Sequence, residues 1–199
     1  MAVILGKGLC SSEEGIKLKG MRRADSFCRM CVTAAQRALE DAAFEPEQDS
    51  DCLGIIVSTQ FGPHSTTFRF LDDIIDYKDS EVSPTKFSHS VHNAAASYVA
   101  AAVGSRGPTT TVTSFEEPYK AALQLAELWL DEKRAGHILV GYVEESSAPF
   151  EFIRSLTGLP SYSDEVLRAG AFFMLLSPAK TGGEPVNYEH FCLSPLKQI

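Results

Sequence analysis

Residues 107–145 read GPTTTVTSFEEPYKAALQLAELWLDEKRAGHILVGYVEE and decide the fold. The β-branched run Thr109–Thr113 predicts a strand, because Thr and Val favour extended backbone. A helix is predicted from Pro118 to Lys133, since proline is tolerated in a first turn and apolar side chains then recur at helical spacing. The apolar run Ile138–Tyr142 predicts a second strand. A strand, a sharp turn, a helix and a further strand are typical of a layered α/β domain.

The same alternation extends along the rest of the chain. Five apolar runs are continuous, which indicates strands that are buried on both faces. Phe27–Phe44 carries an apolar stripe at helical spacing, the segment 68–75 carries a second such face, and Asn93–Val103 is rich in small residues that suit a buried helix. We therefore predict an α/β domain with a mixed, mostly parallel five-stranded sheet and helices on both faces. The predicted strands are Val3–Leu5, Leu53–Thr59, Thr109–Thr113, Ile138–Tyr142 and Ala171–Leu176.

The composition limits the class of protein. The chain has 199 residues, of which 44% are hydrophobic and 22% are charged, and this suits one domain with a full core. We expect that domain to span residues 1–180 and an irregular tail to follow over residues 181–199. The formal net charge of −8 argues against a surface for nucleic acid or anionic membrane, because such a surface needs basic residues.

The sequence also indicates where the protein is located and whether its cysteines form disulfides. No stretch approaches the roughly 20 apolar residues of a membrane-spanning helix, and the start MAVILGKGLC is too short for a signal peptide. We therefore expect a cytoplasmic protein. The five cysteines are irregularly spaced, so free thiols are expected. Cys28 and Cys31 lack the second pair that a structural zinc site needs, and we interpret them as core residues of a helix.

Three stretches carry a resemblance to a known family. They are VILGKGLCSS at residues 3–12, GIIVSTQFGPHSTTFRFLDD at residues 54–73, and SPTKFSHSVHNAAASYVAAAVGSRGP at residues 83–108. Together they resemble the N-terminal half of β-ketoacyl synthases of the thiolase fold. The resemblance implies that the α/β domain is a thiolase-like half-fold. The third stretch is similar to the version found in chain-length factors and in short synthase-like proteins of aryl-polyene and related gene clusters. The resemblance extends from residue 3 to about residue 180.

The resemblance locates the position of the nucleophile. In catalytic members, a T-A-C-S-S/T-G-like turn follows the strand and carries the cysteine. This turn aligns with residues 114–119, which read SFEEPY, so the nucleophile position is Glu116, or Glu117 if the alignment shifts by one residue. A carboxylate replaces a thiolate poorly, because its attack on a thioester would form a high-energy mixed anhydride. The resemblance therefore implies that the chain has no catalytic residue and is not an enzyme on its own.

The histidines lead to the same expectation. In that family, two histidines from the C-terminal half of the fold assist catalysis, and this chain stops before that half begins. We interpret His92 as a structural, hydrogen-bonding residue. His64 lies on a Gly-Pro turn and is expected at the surface.

No cofactor and no metal are predicted. Nothing in the sequence matches a phosphate-binding or dinucleotide-binding loop. Asp72, Asp73 and Asp76 are interpreted as a solvated helix face. Glu144 and Glu145 follow a strand and are interpreted as residues of a polar loop without a special role.

The resemblance implies a partner. In that family, the strand before the turn lies at the dimer seam, and an unpaired sheet edge is a template for association. The implied function is a non-catalytic, chain-length-factor-like subunit that pairs with a full-length, Cys-bearing ketosynthase in fatty-acid, polyketide or aryl-polyene biosynthesis. It would meet acyl carrier protein only indirectly. The candidate residues for the interface and the acyl tunnel are Thr111, Thr113, Ser114, Phe115, Phe87, His92 and Asn93.

Two other functions stay open. The chain could be an autonomous acyl-thioester hydrolase or decarboxylase that uses Glu116 with His92. Turnover by the chain alone, abolished by Glu116→Gln, would favour that function. It could also be a homodimer that binds an acyl chain or an acyl carrier, which self-association with ligand uptake would indicate.

Overall fold

The computed structural model describes residues 2–11, 21, 23–46, 52–77, 82–114, 117–145, 169–179 and 183–186. The five runs predicted as strands all lie within strands of the structure. No helix in these ranges combines the length and the hydropathy that a membrane span requires. In chain order, the elements are β1 (Ala2–Ser11), α1 (Ser26–Asp41), β2 (Leu53–Thr59), α2 (His64–Tyr77), α3 (Pro84–His89), α4 (Ala94–Val103), β3 (Thr109–Thr113), α5 (Pro118–Asp131), β4 (His137–Glu144), β5 (Gly170–Pro178) and β6 (Glu184–Pro185).

The strands form one six-stranded sheet in the order β3-β2-β4-β5-β1-β6. β2 pairs in parallel with β3 and β4, whereas β5 pairs antiparallel with β4 and β1, and β6 pairs antiparallel with β1. The predicted α/β class is confirmed, but the sheet is mixed rather than mostly parallel and has a short sixth strand. The sequence could not show this, because a continuous apolar run indicates burial on both faces and not the direction of the strand.

Helices cover both faces of the sheet, as predicted. Successive side chains of a strand point to opposite faces, so Ile55 and Ile56 of β2 enter two different cores. Ile55 and Leu139 belong to the core under α1 and α4, and Ile56 and Val140 belong to the core under α5. α5, which follows the turn after β3, therefore packs on the second core.

α1 begins at a capped end and packs close to the sheet. The Asp25 side chain accepts a hydrogen bond from the Cys28 N–H at 2.9 Å, which satisfies one of the free amides of the first turn. Further along α1, Ala38 lies so near β1 that a Cβ on Gly6 would collide with the helix backbone. Cys28 and Cys31 are fully buried in this helix, so their predicted role in core packing is confirmed.

α2 and α3 expose their apolar side chains instead of burying them. The buried residues of α2 are His64 and Thr66, both in its first turn. Lys86 of α3 forms an ion pair with both carboxylate oxygens of Asp73 at 2.7 and 2.8 Å, so Asp73 is not part of a purely solvated face. The α2–α3 apolar surface consists of Phe68, Leu71, Ile74, Ile75, Tyr77, Phe87 and Val91, which are 36–77% exposed.

Candidate functional site

The candidate site lies where three parallel strands end. Thr59 of β2 is opposite Thr113 of β3, and Ser58 is opposite Tyr142 of β4. The carboxyl ends of these strands therefore meet at one edge of the sheet, where α/β folds commonly place their functional loops. β3 is the first strand in the sheet order, so it pairs with only one neighbour among the described strands.

The turn from β3 into α5 contains a strained residue. Phe115 and Glu116 of this turn lie outside the described residues. Glu117 adopts a left-handed backbone with φ 45° and ψ 51° and makes no side-chain cap to α5, and this conformation costs a residue with a Cβ roughly 1 kcal/mol. Its carboxylate lies 3.1 Å from the Nζ atom of Lys120. Of the two positions predicted for the nucleophile, the structure thus describes Glu117, at a sharp bend before the helix.

The residues predicted for the interface and the acyl tunnel fall into two groups. The first group lies on β3 and just after it. Thr113 is exposed, whereas Thr111 and Ser114 are half-buried. The Oγ1 atom of Thr111 is buried without a hydrogen-bond partner among the described residues. This group occupies the open edge of the sheet.

The second group lies on α3 and before α4. Phe87 is 57% exposed and its ring contacts Phe70 of α2. Asn93 is exposed and precedes α4 without forming a side-chain cap. The ring of His92 lies against Gly62, where an added Cβ would come within 2.5 Å of the His92 Cδ2 atom. His92 therefore packs on the turn that joins β2 to α2.

A carboxylate that the sequence had placed in a polar loop is buried at this edge. Glu144 is the last residue of β4 and is 1% exposed. Its Oε1 atom accepts hydrogen bonds from the Thr59 hydroxyl at 3.0 Å and from the Gln60 backbone N–H. Its Oε2 atom is buried and has no hydrogen-bond partner among the described residues. Burial raises the pKa of Glu144 to about 7, although the hydrogen bonds from Gln60 and Thr59 favour the carboxylate.

Thr59 connects Glu144 to the next turn of the chain. Its Oγ1 atom accepts a hydrogen bond from the Gly62 N–H at 2.9 Å while it donates to Glu144. The Nδ1 atom of His64 lies 3.1 Å from the Gly62 carbonyl oxygen. His64 is 9% exposed, so the expectation that it lies at the surface was wrong. The Gly-Pro turn folds back on the sheet edge and brings this side chain inward.

Two further carboxylates fix the first turns of α1 and α2. Glu145 accepts hydrogen bonds from the Ser65 N–H at 3.0 Å and from the Ser26 hydroxyl at 3.3 Å. Asp25 accepts one from the Thr66 hydroxyl at 2.8 Å. Negative charge is favourable at helix N-termini. The sequence signal for this arrangement was the pair of acids that directly follows a buried strand at the functional edge of the sheet.

The described cysteines offer no thiol at this edge. Cys10, Cys28 and Cys31 are buried, Cys52 is exposed, and none of the four forms a disulfide, as predicted. Burial, reinforced by the charge of Asp25, raises the pKa of the Cys28 and Cys31 thiols far above the usual range. Among the described residues, no three His, Cys, Asp or Glu side chains are grouped so that they could hold a metal ion.

Several solved structures share this fold. The ishigamide ketosynthase/chain length factor matches with a TM-score of 0.76 at 18% identity, over 92% of this chain and 64% of that chain. A complex of AntDE with AntF, a type II PKS acyl-carrier protein with its ketosynthase bound to the hexaketide, matches with a TM-score of 0.73 at 16% identity, over 90% of this chain and 58% of that one. The ketosynthase ApeO in complex with its chain length factor ApeC, from Xenorhabdus doucetiae, matches with a TM-score of 0.62 at 18% identity, over 83% and 63%.

The chain spans about three fifths of the length of these structures. No curated protein is detectably similar to it. The family described as beta-ketoacyl synthase, N-terminal domain, matches residues 17–178, which is most of the chain. This chain therefore belongs to the β-ketoacyl synthase family, whose N-terminal domain it contains.

Proposed function

We propose that this chain is a non-catalytic, chain-length-factor-like subunit that pairs with a full-length, Cys-bearing ketosynthase. The observation that carries the proposal is the turn between β3 and α5, which reads SFEEPY at residues 114–119 and contains no cysteine. The resemblance aligns Glu116, or Glu117, with the cysteine of catalytic family members. The sequence contains no cysteine between Cys52 and Cys192. The turn itself therefore supplies no thiol that could hold an acyl group.

The glutamates of this turn do not replace the missing thiol. The N-terminus of α5 favours a negatively charged group, and Glu117 is paired there with Lys120. A carboxylate that attacked a thioester would form a mixed anhydride, which is less stable than the thioester that it replaces. The turn therefore has no side chain that could exchange acyl chains with a thioester.

The open edge of β3 supports association with a partner. β3 presents unpaired backbone donors and acceptors on the side away from β2, as far as the described strands show. Its side chains are mostly Thr and Val, which favour extended pairing. A strand that pairs antiparallel with this edge would continue the sheet into a second subunit.

The α2–α3 apolar surface supports a large interface. Its seven side chains, each about half exposed, present on the order of 600 Å² of apolar area, which is the upper end for a patch on a monomer. A stable interface buries about 800 Å² per partner. The apolar surface and the β3 edge together could supply that area.

The similar structures indicate what kind of partner to test. Two of them are a ketosynthase/chain length factor and a ketosynthase in complex with its chain length factor, and one holds an acyl-carrier protein with its ketosynthase. By analogy, we propose a ketosynthase of fatty-acid, polyketide or aryl-polyene biosynthesis as the partner. Acyl carrier protein would then dock mainly on that partner. Phe115, Phe87, His92 and Asn93 are the residues proposed to wall the acyl tunnel at the interface.

The proposal is tested by co-expressing the chain with a Cys-bearing ketosynthase that is encoded beside it. Size-exclusion chromatography with light scattering should give a one-to-one complex, and a radiolabelled acyl thioester should label only the ketosynthase. A ketosynthase with its cysteine changed to alanine is the matched control, because it should still assemble but take no label. An acyl adduct on the isolated chain would overturn the proposal. So would a chain that stays monomeric, or only self-associates, beside every such ketosynthase.

A further inference from the structure

We infer that Glu144 is a proton-binding latch that holds the turn Gln60–Gly62, and with it the start of α2, against the end of β4. The inference deepens the proposed function, because its consequence for partner docking rests on that function. The latch itself is a property of the isolated chain.

Three hydrogen bonds hold the turn: two end on Glu144 and the third ends on Thr59. Glu144 accepts from the Gln60 N–H and from the Thr59 hydroxyl, and Thr59 in turn accepts from the Gly62 N–H. No ion pair within the described residues includes Glu144. The Oε2 atom of Glu144 is buried with no hydrogen-bond partner among the described residues, although the Phe61 N–H and the Tyr142 side chain also favour the carboxylate.

The turn carries two elements of the proposed interface. His92, a candidate interface residue, packs with its ring on Gly62. α2 begins at His64, directly after the turn, and contributes five of the seven side chains of the α2–α3 apolar surface. Movement of this turn would therefore move both His92 and the apolar surface.

The turn is held closed most strongly when Glu144 is protonated, because burial makes the ionised carboxylate unfavourable in the closed form. An opened turn lets water reach the carboxyl group, whose pKa then returns to the usual 4.5, whereas burial raises it to about 7 in the closed turn. Below pH 4.5 both forms are protonated and the latch has its full strength. Between pH 4.5 and about 7 the closed form holds a proton that the open form has lost, so opening becomes up to tenfold easier per pH unit. Above pH 7 both forms are ionised and the effect levels off.

One titratable neighbour opposes this direction, because the hydrogen bond between Tyr142 and Glu144 favours the carboxylate, but the burial of Glu144 outweighs it. Tyr142 lies beside it on β4 and Glu145 directly follows that strand, and burial, reinforced by the charge of Glu144, raises the pKa of Tyr142. From α1, Cys31 feels the same charge, which contributes to its raised pKa. The other titratable groups in the surrounding elements contact neighbouring residues: Asp25 bonds to Cys28, His64 and His92 contact Gly62, and the ring of Tyr119 packs on Tyr142. Cys10 of β1 interacts with Cys31.

The experiment is amide hydrogen exchange of the isolated chain from pH 4.5 to 8.5, compared with Glu144→Gln. In the wild type, the protection factors of the Gln60 and Gly62 amides should fall by about a hundredfold between pH 4.5 and 7 and then stay level. In Glu144→Gln they should not depend on pH, since the amide oxygen still accepts hydrogen bonds but cannot ionise. The amide of Val140, in the middle of β4, is the internal control. Equal pH dependence in both proteins would overturn the inference.

A second measurement does not depend on the variant. The side-chain carboxyl carbon of Glu144, followed by NMR in the wild type, should titrate with a midpoint near pH 7. A midpoint near pH 4.5 would overturn the inference even if Glu144→Gln failed to fold.

The two proposals fail in different ways. If the exchange and NMR results hold but no ketosynthase binds, the latch stands and the proposed function fails. If a ketosynthase binds, its affinity should decrease between pH 4.5 and 7 in the wild type and less so in Glu144→Gln. Binding with the same pH dependence in both proteins, without the exchange result, would remove the latch and leave the proposed function intact.

Discussion

The carboxylate of Glu144 and the hydroxyl of Thr59 are 3.0 Å apart, and their hydrogen bond joins the ends of β4 and β2. One residue earlier in β2, the Ser58 hydroxyl donates to the Gly141 carbonyl of β4 at 2.8 Å. The polar residues that end β2 therefore both bond to β4. This arrangement explains how buried polar side chains are accommodated at the end of an otherwise apolar strand, because buried polar groups are stable when they are hydrogen-bonded.

Replacing Glu144 by Gln should change how the stability of the chain depends on pH. The pKa of Glu144 is about 7 in the folded chain and 4.5 in an exposed acid, so its contribution to stability is full below pH 4.5 and is lost as the pH rises to about 7. Between pH 4.5 and 7, the free energy of unfolding of the wild type should therefore fall by up to about 3 kcal/mol relative to that of Glu144→Gln. Urea denaturation at pH 4.5 and pH 8 measures the difference. Glu40→Gln, at an exposed position of α1, controls for the change in net charge.

Gly62 and Gly104 form a matched pair that isolates the contact with His92. Their φ angles are +68° and +69°, but an added Cβ at Gly104 has no neighbour within 4 Å, whereas one at Gly62 meets the His92 ring at 2.5 Å. Gly104→Ala should cost about 1 kcal/mol of unfolding free energy from backbone strain alone. Gly62→Ala should cost at least about 1 kcal/mol more, and His92→Ala in the same chain should recover that excess. Equal costs for the two alanine variants would show that His92 does not pack on the turn.

Asp25 should contribute more to the free energy of unfolding than an ordinary helix cap does. Its carboxylate accepts from the Cys28 N–H and from the Thr66 hydroxyl, so it joins α1 to α2 as well as capping α1. Asp25→Ala should lower the unfolding free energy by about 2 kcal/mol, and Asp25→Ser, which keeps the cap, should lower it by about 1 kcal/mol. A double-mutant cycle with Thr66→Val checks the bond between the helices. A coupling energy of zero would contradict it.

Much of the fold could be predicted from the sequence because its signals are local. The continuous apolar runs place the five long strands, and the spacing of apolar residues places α1 and α5. The direction of β1 and β5 could not be predicted, because the pairing partner of a strand is a long-range property. The burial of α2 could not be predicted either, since the stripe at Phe68–Ile75 has helical spacing whether it packs on the core or faces outward.

The candidate site was harder to predict than the fold. The turn that carries Glu117 is predicted from the β-branched strand before it and from Pro118 after it, and the resemblance to β-ketoacyl synthases identifies it as the nucleophile position. The burial of Glu144 could not be predicted, because an acid after a strand is exposed in most proteins. No neighbouring residue indicates that Thr59, which is distant in the sequence, will hydrogen-bond to it. Distant polar contacts of this kind are set by the packing of whole strands and not by neighbouring residues.

The four thiols in the described part of the folded chain should divide into one reactive and three unreactive groups. Cys52 is exposed, whereas Cys10, Cys28 and Cys31 are buried, and burial raises the pKa of the Cys28 and Cys31 thiols. In a Cys192→Ser variant, Ellman's reagent should react rapidly with one thiol per native chain and with all four described thiols after denaturation. Adding Cys52→Ser should abolish the rapid reaction. A rapid reaction that persists would mean that a thiol of the core is accessible, and would reopen the question of covalent acyl transfer.

Ile75 is the best position at which to test the α2–α3 apolar surface as a site of partner docking. It is 77% exposed, so Ile75→Asp removes no core contact and should leave the thermal unfolding temperature unchanged. Burying the new charge in an interface would be costly, so the affinity for the Cys-bearing ketosynthase should fall at least tenfold, or about 1.4 kcal/mol. Leu128→Asp is the matched control, because Leu128 is 49% exposed on α5, outside that surface. Equal affinities for the wild type and both variants, measured by titration calorimetry, would mean that a partner docks elsewhere. Loss of affinity in Ile75→Asp alone would place the interface on α2 and leave the β3 edge to be tested separately.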